Sequence, residues 1–201
     1  MIPVRPLFAA IFAALALLAL AAIPAAARSG GIKYASDYSD VRGFNYNTVS
    51  SRGYVDQWNR YDHAEVDRHM GYAERLRLNM ARVFLAYGSW KADPARFRAN
   101  IRDFVRTAYA HHIGTMFVLI DGPNGLMPNP FEDSAKPEMQ AYVKDAVAAV
   151  ADEPGLAMWD AGNEPDWVRL PAAPPNTNQP QRIKLAMVVA TLVKQYDKAT
   201  P

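Results

Sequence analysis

Beyond residue 40, three stretches of this chain are apolar at almost every position, residues 80–87, 115–120 and 156–159, and a more mixed one covers 41–46. Runs this short with little alternation are what a strand covered on both faces requires. Between them the pattern changes to apolar residues spaced three and four apart. Val66, Met70, Ala73 and Leu76 predict a helix ending near 76, and Phe97, Ile101, Phe104, Val105 and Tyr109 one ending near 112. Two further helices are expected over about 137–151 and 181–198. Asp62 stands three residues before Glu65, a capping-box spacing, and Asp93-Pro94 is an N-cap followed by proline at the first helical position.

The order is strand then helix, four times, with strand centres near Phe44, Phe84, Val118 and Met158, roughly 35 to 40 residues apart. Such alternation implies a parallel α/β sheet with right-handed crossovers. The long loops, 47–61, 121–136 and 166–180, all follow the C-terminal ends of strands and are rich in Gly, Pro, Asn and aromatics. That asymmetry fits a (β/α)8 TIM-type barrel, whose site is built from those loops. A full barrel takes about 250 residues, so four βα units amount to a half-barrel. A doubly wound nucleotide-binding sheet is the competitor, but strand one is followed by Asn45-Tyr46-Asn47-Thr48-Val49, with no glycine-rich phosphate loop.

The N-terminus is of another kind. Arg5 precedes an almost unbroken Ala/Leu/Ile/Phe run over 7–23, and Pro24-Ala25-Ala26-Ala27 offers a small-residue cleavage site. This is the layout of a secretory signal peptide, residues 1–27. It predicts a secreted or periplasmic protein with no membrane contact after cleavage; an uncleaved anchor is the alternative. Residues 28–40 read as a flexible lead-in, and 41–201 as the half-barrel. Removing 1–27 takes away Arg5 and lowers the net charge from +2 to +1, which gives no footing for nucleic-acid binding. There is no cysteine, so neither disulfides nor a cysteine-linked lipid contributes.

Candidate chemistry gathers at the fourth strand, which runs into Trp159-Asp160-Ala161-Gly162-Asn163-Glu164-Pro165. Gly162 breaks the strand and leaves Glu164 at its C-terminal end, as a catalytic acid/base or as the cap of a loop. Arg82 interrupts an apolar strand. A buried guanidinium is costly unless carboxylates meet it, so Arg82 is expected inside the barrel, facing the catalytic carboxylates; an exposed strand end is the alternative. Trp90 and Trp167 follow strands two and four, and Tyr46 closes strand one. All three are candidate stacking surfaces for sugar rings, whereas Trp159 is expected in the core. Asp121 follows strand three, as a substrate contact or as the start of a turn with Gly122.

Together, G-F-N-Y at strand one, the arginine of N-M-A-R-V-F-L at strand two and W-D-A-G-N-E-P at strand four resemble glycoside hydrolase clan A, most of all its cellulase-like family 5. The resemblance runs from about Val41 to the end of the chain. It implies that Glu164 is the general acid/base, that Asn163 hydrogen-bonds the sugar 2-hydroxyl and that Arg82 supports the nucleophile. The implied activity is retaining hydrolysis of a β-linked polysaccharide or oligosaccharide, cellulase- or mannanase-like, without a cofactor. The family's nucleophile is a second glutamate at strand seven, which four βα units do not contain, so the chain alone is expected to be inactive. A carbohydrate-binding or assembly module is the alternative. Two open sheet edges then invite a C-terminal half or a second copy of the chain.

Other classes fare poorly. No G-x-S-x-G elbow or H-E-x-x-H motif occurs. His111 and His112 are adjacent at a helix end, where a charge opposite the helix dipole is the expected role and a metal site is not.

Overall fold

A computed structural model describes residues 38–120, 136–163 and 179–201, all within one compact unit, Gly31–Pro201. The proposed signal peptide and most of the lead-in lie outside the described residues. The elements are β1 (Gly43–Tyr46), α1 (Tyr54–Asn59), α2 (His63–Arg75), β2 (Met80–Phe84), α3 (Tyr87–Ala92), α4 (Pro94–Ala110), β3 (Gly114–Val118), α5 (Lys136–Val150), β4 (Leu156–Asp160) and α6 (Gln179–Tyr196). The four strands form one parallel sheet in the order β1-β2-β3-β4. Its register sets Asn45 beside Arg82, Arg82 beside Met116 and Val118 beside Asp160. This is the partial (β/α) barrel that the alternation predicts.

The sheet has two unlike faces, and strand parity decides which residue goes where. Ala81, Val83, Thr115 and Phe117 are buried on the helix side, where Val66, Met70, Phe97, Ile101, Phe104, Tyr142 and Val147 complete the core. Asn45, Arg82, Phe84, Met116, Met158 and Asp160 alternate onto the other, concave face. A register irregularity between Thr115 and Met116 resets the parity of β4, so that Met158 and Asp160 face the concave side.

The two caps behave differently. Asp93 accepts from the backbone N–H of Arg96 at 3.0 Å, as the sequence predicts. Asp62 accepts from Ala64 and Glu65, but Glu65 does not complete the box. Its carboxylate instead takes the Ser50 hydroxyl at 2.6 Å and tethers the loop after β1. Helices α2 and α4 each end on a left-handed residue that is not glycine, Arg77 (φ 59) after α2 and His112 (φ 60) after α4.

Two short helices, α1 and α3, stand where loop or strand is expected. Strand two ends at Phe84, not at Tyr87. Neither helix has a side-chain cap, so both depend on tertiary contacts. In α1, Gln57 accepts from Thr48 N–H, and Trp58 is buried with its indole N–H on the Phe84 carbonyl. In α3, the Ser89 hydroxyl donates to the Val55 carbonyl, and Lys91 pairs with Glu138 at 2.8 Å.

The outer edge of β4 is partly occupied. Trp159 donates its backbone N–H to the Pro201 carbonyl at 3.0 Å and its indole N–H to Asp197 at 2.9 Å. Asp197 also accepts from the backbone N–H groups of Ala199 and Thr200. Burial works against the charge of this carboxylate, yet these donors together hold it below the usual range.

Candidate active site

The concave face carries one polar knot at the C-terminal ends of the strands, the edge at which barrels build their sites. At its centre is the guanidinium of Arg82. Nε and Nη2 both donate to Oδ2 of Asp160, at 3.1 and 2.7 Å. Nη2 also donates to Oδ1 of Asn163 at 3.0 Å, and Nη1 to Oδ1 of Asn45 at 3.3 Å. Four of the five N–H groups that a guanidinium offers are used in this way. The side chains of Arg82 and Asp160 are each 24% exposed, so the pair is half-buried and screened less than a surface pair.

Apolar neighbours fix its position from below. The Arg82 guanidinium lies 4.7 Å from the centroid of the Phe84 ring, a cation–π distance. Phe84 is in turn stacked on Tyr54 of α1, with centroids 4.4 Å apart and planes 6° from parallel. The strand-four loop is pinned at two points. Gly162 N–H donates to Oδ1 of Asp160, and Asn163 N–H donates to the Ile120 carbonyl after β3. Arg82 therefore ties β1, β2 and the end of β4 into one unit, with Asn163 held at its rim.

Arg82 and Asn163 are thus brought together. The carboxylate that meets the arginine is Asp160, which sequence reasoning passed over. A signal was available, because Asp160 lies two residues beyond Met158 and so shares its face, and an arginine in an apolar strand demands an acid on that face. Glu164, Trp167 and Asp121 lie outside the described residues.

Tyr46 and Trp90 are corrected. Tyr46 is the fourth residue of β1 and alternates to the helix side, away from Asn45. It is 5% exposed, packs 5.2 Å from Phe104 and bonds His69 through its hydroxyl. Burial raises the pKa of that phenol. Trp90 does follow strand two, but α3 turns it inward. It is 8% exposed, its rings meet Tyr87 and Tyr142, and its N–H donates to Asp145 at 3.0 Å. Neither ring presents an open face to a sugar. Trp159 packs against the core from the helix side, as expected. Among the described residues no cluster of His, Cys, Asp or Glu has the geometry to hold a metal ion, and no helix is long and apolar enough to cross a membrane.

No protein-family model and no curated protein matches the sequence. Solved structures do match. The enzyme of glycoside hydrolase family 5, subfamily 18, from Streptomyces cattleya, solved with GlcNAc, superposes with a TM-score of 0.64 at 17% identity over 80% of this chain and 43% of its own. A variant of it was solved with Manβ1-4GlcNAc. A subfamily 18 protein from Bifidobacterium longum subsp. infantis gives 0.61 at 21% identity, over 76% and 40%. The endo-1,4-β-mannanase of Rhizomucor miehei gives 0.56 at 14%, over 80% and 54%. The chain thus spans about half the length of these structures or less. Over that length, it has the fold of a family 5 glycoside hydrolase barrel.

Proposed function

We propose that the chain carries the acid/base half of a retaining glycosidase site acting on β-linked, mannose- or glucose-containing saccharides. The observation that supports this reading best is the Arg82 knot. It binds β1, β2 and the end of β4 together at the rim of a barrel fold shared with glycoside hydrolases, one residue before Glu164. In this reading Glu164 protonates the leaving oxygen and later activates water. Retention requires a second carboxyl about 5 to 5.5 Å away as nucleophile. By the family resemblance it belongs to a seventh strand, beyond the four found here. Arg82 holds Oδ1 of Asn163 and so fixes the amide orientation, as the implied contact with a sugar 2-hydroxyl requires. The mannosyl preference leans on the disaccharide bound by the Streptomyces variant and on the name of the Rhizomucor enzyme.

The 201-residue chain by itself then gives no hydrolysis of β-mannan or β-glucan above blank, because a lone acid/base cannot form the glycosyl intermediate. Turnover abolished by Glu164→Gln would overturn the need for a second half and keep the glycosidase assignment. Turnover unaffected by Glu164→Gln would overturn the assignment of Glu164. Export belongs to the same reading, and the N-terminus of the exported protein is Arg28.

A second reading has one observation in its favour. β1 is an edge strand whose Gly43 and Asn45 are exposed, a template for another strand. In that reading the half-barrel is a carbohydrate-binding or assembly module that pairs through this edge. A monomer in sedimentation at high concentration counts against pairing between copies.

A further inference from the structure

All four histidines of the sequence lie on α2 or at the C-terminal end of α4. Three of them face carboxylates on or beside the other helix of that pair. His111, the C-cap residue of α4, stands between two acids of α2. Its Nδ1 is 2.9 Å from Oε2 of Glu74, and its Nε2 is 2.9 Å from Oδ1 of Asp67. A neutral imidazole has one N–H, so its other nitrogen would set a lone pair against a carboxylate oxygen. Only the imidazolium donates to both. The ring is 21% exposed and packs beside Gly71, where a Cβ would meet its Cε1 at 3.6 Å, an ordinary contact.

At the other end of the same seam His63, the first residue of α2, sets Nδ1 2.8 Å from Oδ2 of Asp103 on α4. That oxygen also accepts from the Tyr61 hydroxyl at 2.7 Å, and Thr107 Oγ1 lies 3.3 Å from the ring. His112 Nε2 is 4.0 Å from Glu74. His69 sits between them, against the Tyr46 hydroxyl and Glu65. Further charges near the seam are Asp62 beside His63, Arg68 near Tyr46, Arg106 near Asp103 with its own partner Glu153, and Arg75 near Gly71.

We propose that the α2–α4 seam is a histidine latch, shut by the His111 imidazolium between Asp67 and Glu74, reinforced by His63 on Asp103, and loosened as these rings lose their protons. The surrounding acids raise both pKa values, through the Glu74 and Asp67 bonds at His111 and the Asp103 bond at His63. A raised value means that the latch contributes fully below the ordinary imidazole value of about 6.5. The contribution is lost as pH rises through the higher folded value. The latch holds the two turns that feed β2 and β3. Leu78 N–H bonds the Ala73 carbonyl at the end of α2, and Ile113 N–H bonds the Ala108 carbonyl at the end of α4. Opening it therefore loosens the base of the strand that carries Arg82, on the side away from the site.

The test is hydrogen exchange of the full chain between pH 6 and 9, corrected for intrinsic rates, read at residues 73–78 and 108–113. Protection there is expected to fall several-fold across this range. In His111→Gln it is low throughout and nearly independent of pH. A flat profile in the unmodified protein, or the same fall in the variant, overturns the latch. If the variant does not fold, a nitrogen-15 NMR titration of the unmodified protein decides. Two ring N–H groups on His111 at pH 7 support the latch, and a neutral ring at pH 6.5 overturns it.

Discussion

Replacing Asp160 with Asn removes a charge from the centre of the polar knot while keeping its volume. The cost follows from the geometry. Two charge-assisted bonds to Arg82 are weakened, each of a kind that contributes about 1.5 to 3 kcal/mol when its partner is charged. Solvent reaches a quarter of each side chain, so the pair lies between exposed pairs, at about 0 to 1 kcal/mol, and fully buried ones, where breaking one partner costs about 3 to 5. Asn163 and Asn45 remain as neutral acceptors for the guanidinium. We expect about 2 kcal/mol for Asp160→Asn, a similar loss for Arg82→Met, and a double variant about 1.5 kcal/mol better than their sum. Arg82→Lys recovers little, because an ammonium cannot reach Asp160, Asn163 and Asn45 from one planar fork. Urea unfolding followed by tryptophan fluorescence measures this as a shift in midpoint at constant slope. A coupling below about 0.5 kcal/mol would show that the knot is a surface ion pair and remove its claim to position Asn163.

Three further expectations concern the frame around the site. A Cβ on Gly155 would lie 2.7 Å from Tyr109 Cβ and 2.8 Å from the Val105 carbonyl; because the backbone of α4 must give way, Gly155→Ala costs about 2 to 3 kcal/mol in chemical denaturation, and a neutral effect would mean that α4 and the start of β4 are not in contact. Asp93→Ala removes the cap of the 17-residue α4 and lowers stability by about 1 kcal/mol, while Asp93→Asn retains most of it. Asp197 has a lowered pKa, so its stabilisation is present above the unfolded value of about 3.9 and is lost as pH falls through the folded value; thermal melts below pH 4 should show a shallower loss in Asp197→Asn than in the unmodified chain.

The sequence made the sheet legible because strands covered on both faces must be apolar throughout, and made α2 and α4 legible because Asp62 and Asp93 mark their starts. It did not reveal α1 and α3. Y-V-D-Q-W-N and Y-G-S-W-K-A have neither length nor caps, and their helicity rests on contacts such as Trp58 to the Phe84 carbonyl and Trp90 to Asp145. The same gap misplaced Trp90, because position after a strand says which end of the barrel a residue occupies, not which way its ring turns. Tyr46 failed for a simpler reason, since strand parity opposes it to Asn45. Parity would also have found Asp160, once the register irregularity before Met116 is allowed for. Arg82 with Asn163 was within reach, because a buried guanidinium and a strand-end amide have few places to go in a parallel sheet.

In the proposed function the Arg82–Asp160–Asn163 knot forms one wall of a saccharide site. A nitrogen-15 NMR titration of the full chain with a β-1,4-linked manno-oligosaccharide checks this. Saturable shifts are expected at the Arg82 Nε–H and the Asn163 side-chain amide, with the indole N–H of buried Trp90 unmoved. Shifts confined to Trp90 and the outer helices, with Arg82 and Asn163 silent at saturation, would contradict it.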